Sequence, residues 1–262
     1  MEPLENKTHD GFILLGFSDT PHLLLPLLFV FLAAYILCIT GNNFITVIIV
    51  SQPQLYTPMY VVMGNLAFVD MSFTTTVIPS ALYGLMSGDT CISTHGCFAQ
   101  QFLFLASGNM NRFLLAVIAF DRYCAVCFPL RYLIIMDRTC ICLVVISWVL
   151  AYSQMKAVFI EGPIAVFSPL FFILGSYLLI IRAVQSSQGR WKTFSTRSSH
   201  LTMVILFFST TTFMYYRPSS LYSPTYDRVI GLVYRVSIPM LNPFIYSLRN
   251  KDVKAVVKKF LQ

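Results

Sequence analysis

Apolar residues in this chain come in long unbroken runs rather than in alternation with polar ones. The runs fall near 24–50, 59–85, 98–124, 140–184, 200–216 and 229–248. A helix rises about 1.5 Å per residue, so roughly 20 apolar residues match the ~30 Å hydrocarbon core of a bilayer. The run from Cys140 to Val184 is too long for one crossing and suits two. Two stretches offer the bend. Ser153-Gln154-Met155-Lys156 is the main polar interruption, and Glu161-Gly162-Pro163 is the stronger backbone breaker. A turn at the first leaves a fourth span of about 15 residues reaching ~22 Å. A turn at the second gives both spans adequate length.

Composition turns these runs into a fold class. Hydrophobic residues make up 56% of the chain, charged residues 11%, and mean hydropathy is +0.71. A water-soluble domain of this length needs more charge to cover its surface. In hydrocarbon every backbone polar group must be satisfied internally, so the spans are helices or a closed barrel, and long continuous runs select helices. The chain therefore reads as all-α.

Charge sets the count and the orientation. Of 18 Lys and Arg, we place 12 on segments sharing one side: Arg122, Arg131, Arg138, Arg182, Arg190, Lys192, Arg197, Arg249, Lys251, Lys254, Lys258 and Lys259. Lys7, Lys156, Arg217 and Arg228 fall on the other, while Arg112 and Arg235 lie inside spans. By the positive-inside rule the first group is cytoplasmic, which holds only if the long run folds back to give a seven-transmembrane helix bundle. The leading residues carry Glu2, Glu5 and Asp10 where a secretory signal wants positive charge, so the first run is expected to anchor and target the chain, with its amino end outside. Asn6-Lys7-Thr8 is an N-glycosylation acceptor on that side.

The segment Lys251–Gln262 spaces Val253, Val256, Val257 and Phe260 at helical intervals with lysines between, the pattern of a short amphipathic C-terminal helix on an anionic membrane surface. The expected organisation is an extracellular tail over 1–23, a seven-transmembrane domain over 24–248 and a cytoplasmic tail with the surface helix over 249–262.

Five strings, in order along nearly the whole chain, resemble the odorant receptor branch of the rhodopsin-like G-protein-coupled receptors. Leu55–Tyr60 (LYTPMY) is similar to LHTPMY, and Ile118–Tyr132 (IAFDRYCAVCFPLRY) to MAYDRYVAICHPLRY. Ser176-Tyr177 closes the fifth run. Lys192–Leu201 (KTFSTRSSHL) resembles KAFSTCxSHL, and Pro239–Asn250 reads PMLNPFIYSLRN. The alignment places Met155 onward on the fifth span, favouring the turn at Ser153–Lys156.

The resemblance implies roles. Asp121-Arg122-Tyr123 would sit at the cytoplasmic end of span three, where Arg122 pairs with Asp121 at rest and is released toward a G protein when helices shift. Asn242-Pro243 would bend span seven, with Tyr246 and Tyr177 swinging beneath the bundle as activation elements. Asp70 lies about 18 Å into span two, where an unpaired carboxylate is expensive. Asn42 and Asn242 reach similar depth, and related receptors hold water or sodium in such a cluster. Where the family carries a Glu in span three, this chain has Asn111 followed by Arg112. Arg112 either pairs with Asp70 in place of a cation, or snorkels toward the boundary or is a degenerate substitution. Arg197 and Arg235 are further departures, and a charge near a span's centre costs roughly 2.5–3.5 kcal/mol on insertion scales.

The largest departure lies between Tyr152 and Ile164, where the family has a long cysteine-rich outer loop. Here that loop is missing, which leaves Cys97 without its disulfide partner; a local bridge to Cys91 is possible but unforced. Cys124, Cys127, Cys140 and Cys142 superficially suggest metal, but on apolar helices free Cys is an ordinary small hydrophobe.

A small, largely apolar odorant needs a concave apolar site with few polar groups. By resemblance the pocket lies among Phe104, Leu105, Gly108 and Asn109 of span three, Phe208, Thr211 and Tyr215 of span six, and Leu232 and Arg235 of span seven. The expected partners are an odorant, a heterotrimeric G protein of the stimulatory olfactory type and the plasma membrane. Nothing calls for nucleic acid, a metal, a cofactor or catalysis: no nucleophile–base arrangement or phosphate-cradling loop is present. The alternative is an internally deleted member that is retained or does not signal. A small-solute transporter is more remote, since it calls for internal pseudo-symmetry, which the sequence lacks.

Overall fold

The structure, a computed structural model, describes residues 11–13, 21–53, 57–87, 91–153, 158–185, 199–216, 231, 236–237 and 239–243. Among the described residues the long helices are α1 (Pro21–Ser51), α2 (Pro58–Ser87), α3 (Thr94–Cys127), α4 (Tyr132–Ser153), α5 (Val158–Gln185) and α6 (Ser199–Tyr216). A 3-10 turn, Pro129–Arg131, joins α3 to α4, and residues 239–243 are helical. Two short strands, β1 (Gly11–Ile13) and β2 (Cys91–Ser93), complete the described elements.

Local chemistry explains the boundaries. Ser93 caps α3, its hydroxyl accepting the Gly96 N–H at 3.1 Å. At the other end Phe128 precedes Pro129, which pushes it out of the α region (φ −128°, ψ 57°) and stops the helix. Pro79 inside α2 lacks an N–H, and side chains bind carbonyls of the same turn: Gln100 Nε2 donates to Thr76 O at 2.9 Å and Ser80 Oγ to Val77 O at 2.9 Å.

Among the described residues, five stretches are long and apolar enough to cross a membrane: Leu24–Ser51, Pro58–Ser87, Thr94–Cys127, Pro129–Ser153 and Phe167–Val184, with a shorter apolar helix at Leu201–Phe213. α1 is apolar on all sides, with Leu25, Phe29, Val30, Val47 and Val50 exposed. That surface suits hydrocarbon rather than water.

The turn between α4 and α5 falls between Ser153 and Val158, and Glu161–Pro163 lie inside α5. The expected shortening of the fourth span does not occur. α4 begins at Tyr132 rather than near Cys140 and runs for 22 residues. Asp137 and Arg138, which end the apolar run, stand exposed on its first turns without breaking it. The strands were not foreseen: within the stretch read as a tail, Gly11–Ile13 pairs antiparallel with Cys91–Ser93, and Phe12 meets Phe98 edge-on at 6.4 Å.

α3 is the central helix. One buried cluster joins α1, α2, α3 and α4 around Ile48, Leu66, Leu114 and Met136. A second joins α3, α5 and α6 around Ala119, Ile173, Met203 and Phe207. A third, around Phe31, Phe73, Ile78 and Phe104, joins α1, α2 and α3 with Val236. Expectations for Asn6, Arg197, Leu232, Arg235, Tyr246, the side chain of Tyr215 and the C-terminal surface helix lie outside the described residues, as does most of the 229–248 run.

Candidate functional site

Near the Cys127 end of α3, three helices and the turn after α3 converge on two charged side chains. Asp121 is 1% exposed and accepts a 2.6 Å hydrogen bond from the Tyr132 hydroxyl. Arg122 sends Nη2 to Met59 Sδ of α2 at 2.8 Å, and Tyr177 of α5 lies within reach of its charge. Nε of Arg122 is buried without a hydrogen-bond partner among the described residues. The resemblance implied an Arg122–Asp121 pair at rest; here each side chain has another partner. The Pro129 turn is the reason. It reverses the chain and returns Tyr132 beside Asp121, eleven residues on. Tyr123 lies partly buried, edge-on to Phe128 at 5.7 Å.

A second polar group lies deep in the bundle. Asp70 is fully buried, and the side-chain amide of Asn242 donates to its Oδ2. Asn111 of α3 lies close by, and the second carboxylate oxygen, Oδ1, has no hydrogen-bond partner among the described residues. Asn42 of α1 donates to Cys38 O at 2.9 Å and to Pro239 O at 3.1 Å, binding α1 to the backbone ahead of Pro243. Gly41 makes the approach possible, since a Cβ there would stand 3.2 Å from the Pro243 ring. Asp70, Asn111, Asn42, Asn242 and Pro243 are thus brought together. Arg112 is not part of the group: its Nη2 lies beside Gly108, and Asp70 faces asparagines instead. The reason is rotational: Asn111 and Arg112 are successive residues of α3, about 100° apart around the axis, so only one can face Asp70.

The proposed pocket residues are divided. Phe104 stacks on Phe73 at 4.9 Å, and Gly108 also faces Phe73, so this stripe of α3 packs on α2. Leu105 is packed on the same cluster, and Asn109 is buried. Phe208 and Thr211 of α6 are buried too, with Phe208 in the cluster shared with α3 and α5. A cavity of about 420 Å³ lies elsewhere, between α2, α3 and α4, lined among others by Ser72, Ser107, Trp148 and Tyr152. Its wall includes a contact the sequence did not suggest: Trp148 Nε1 donates to Asn65 Oδ1 at 3.1 Å. Cys97 is a free thiol, and no disulfide joins it to Cys91.

Comparison with known proteins places this arrangement. A family model described as 7 transmembrane receptor (rhodopsin family) matches residues 41–162, and one described as Olfactory receptor matches residues 148–262. Human olfactory receptor 2W3 is 39% identical over 307 aligned residues, covering 100% of this chain and 97% of that protein. The chain belongs to the olfactory receptor family. As a member of that family it is a multi-pass membrane protein and an odorant receptor. Human olfactory receptor 1L6 is 38% identical, covering 97% of this receptor and 86% of the relative, and the canine olfactory receptor-like protein OLF1 is 36% identical over 95% of this receptor and 94% of the relative. The 307 aligned positions shared with 2W3 accommodate only 262 residues of this receptor, so the relative carries residues inside the aligned range that this receptor lacks. The two family models overlap at 148–162, the stretch where the sequence loses its outer loop.

Proposed function

We propose that the receptor crosses the membrane seven times, with its amino end outside, its carboxyl tail on the cytoplasmic face as a surface helix, and a small apolar odorant bound among α3, α6 and the seventh span. Binding shifts the helices and exposes the Arg122 end to a stimulatory heterotrimeric G protein. The observation that carries this reading is the joint at the base of α3. Asp121 is fastened by Tyr132, while the adjacent Arg122 bonds Met59 of α2, lies within electrostatic reach of Tyr177 of α5, and keeps Nε without a hydrogen-bond partner among the described residues. A charged group with spare donors, held where helices meet, is released by small relative movements. The Asp70–Asn242–Asn111 group supports the reading, since it brings α2 and α3 against the segment that carries Pro243.

A second reading is that the receptor is retained or silent, which the residues missing relative to 2W3 and the free Cys97 favour. One experiment separates the two. An epitope at the amino end is stained on unpermeabilised olfactory-type cells, and surface-positive cells are screened with an odorant panel for cAMP. Surface staining with odorant-dependent cAMP that Arg122→Ala abolishes supports signalling. Staining seen only after permeabilisation supports retention.

A further inference from the structure

We propose that the cavity between α2, α3 and α4 is a second ligand site, which takes a small membrane-dissolved alcohol and is separate from the odorant pocket proposed above. Its volume, about 420 Å³, lies in the usual range for small-molecule sites. The wall is aromatic and pre-ordered: Trp148 stacks on Tyr152 at 5.9 Å, meets Phe68 at 6.1 Å, and is held in orientation by Asn65. Phe68 and Tyr152 are exposed at the bundle's outer surface, so the way in leads through hydrocarbon.

The floor selects the chemistry. Ser72 and Thr76 commit their protons to the helix, donating to Phe68 O at 2.9 Å and Ser72 O at 2.7 Å. Both residues line the cavity, and each hydroxyl oxygen keeps lone-pair capacity to accept a further hydrogen bond. The Ser107 hydroxyl, on the opposite wall, has no hydrogen-bond partner among the described residues. A site rich in acceptors, with one free hydroxyl, in an apolar shell matches a ligand with one O–H on a hydrocarbon body. An acceptor-only carbonyl compound finds fewer partners, and a pure hydrocarbon leaves the polar floor unmet. The small side chains at Ser72, Thr76 and Ser107 also explain why the space exists, because larger residues at these facing positions would close it.

Trp148 reports directly on the site. The full-length receptor with Trp191→Phe, which leaves Trp148 as the sole tryptophan of the two in the chain, is placed in phosphatidylcholine nanodiscs. It is titrated with octanol brominated at the far end of its chain and, separately, with bromo-octane. The expected result is saturable quenching by bromo-octanol at membrane concentrations about tenfold below those needed for bromo-octane, the factor one hydrogen bond supplies. Ser107→Leu, which fills the cavity, removes the saturable component. Ser107→Ala weakens the alcohol and leaves bromo-octane unchanged, and it decides the matter if Ser107→Leu does not fold. Quenching that rises linearly with both compounds, with no preference for the alcohol, means contact with bulk lipid and overturns the proposal. Because the readout needs no G protein, and Thr211→Leu in the other pocket leaves it intact, its failure is distinguishable from failure of the signalling reading.

Discussion

Asn242 donates its side-chain amide to the carboxylate of Asp70, joining residues 172 positions apart in the chain. Both are buried, and Asn111 completes the group from α3. An isolated carboxylate at that depth is expensive; the Asn242 amide replaces part of its lost hydration.

Replacing Asp70 with Leu strands the Asn242 amide donor in an apolar interior. Unmet buried donors cost about 1–3 kcal/mol each. Asp70→Leu is expected to lower the thermal unfolding midpoint of purified receptor clearly more than Asp70→Asn, which keeps an acceptor oxygen. Equal midpoints for the two variants would place the contact outside the stability of the fold.

Tyr132→Phe removes the 2.6 Å bond to Asp121 and nothing else in size or shape. Hydrogen bonds to charged groups contribute about 1.5–3 kcal/mol. If the bond holds the resting arrangement, ligand-independent cAMP per surface receptor rises about tenfold or more. A purely structural bond lowers surface staining without raising that ratio.

Two glycines predict opposite outcomes. A Cβ on Gly41 stands 3.2 Å from Pro243, whereas one on Gly175 meets nothing within 4 Å. Gly41→Val overpacks the contact and is expected to destabilise by about 1–3 kcal/mol. Gly175→Ala is expected to be neutral or to stabilise by about 0.5–1 kcal/mol through helix propensity. Thermal unfolding of both variants in the same detergent checks the pair.

Cys97 is a free thiol, so Cys97→Ser is expected to leave unfolding within about 0.5 kcal/mol of the parent, as for an ordinary surface change. Loss of a native disulfide typically costs about 2–5 kcal/mol. A drop of that size on Cys97→Ser would mean that Cys97 is bridged in the cell.

The helices, the family and the lost loop were legible along the chain, because hydropathy, breaker residues and motif strings are local and add up residue by residue. Asp121, Arg122, Asp70 and Asn242 were singled out this way. Their partners were not. Periodicity gives a residue's depth in a span, but a helix apolar on every side carries no signal for which face turns inward. Arg112 illustrates the limit: its depth matches Asp70, yet its rotation leaves Asn111 on the carboxylate. Tyr132 was overlooked for a related reason, since only the reversal at Pro129 returns it to Asp121. The sequence by itself determined the membrane helices and the chemistry they carry. Tertiary structure decided the pairings, the close approach at Gly41 and the cavity beside Trp148, because these depend on the relative rotation of packed helices, which no single stretch of sequence encodes.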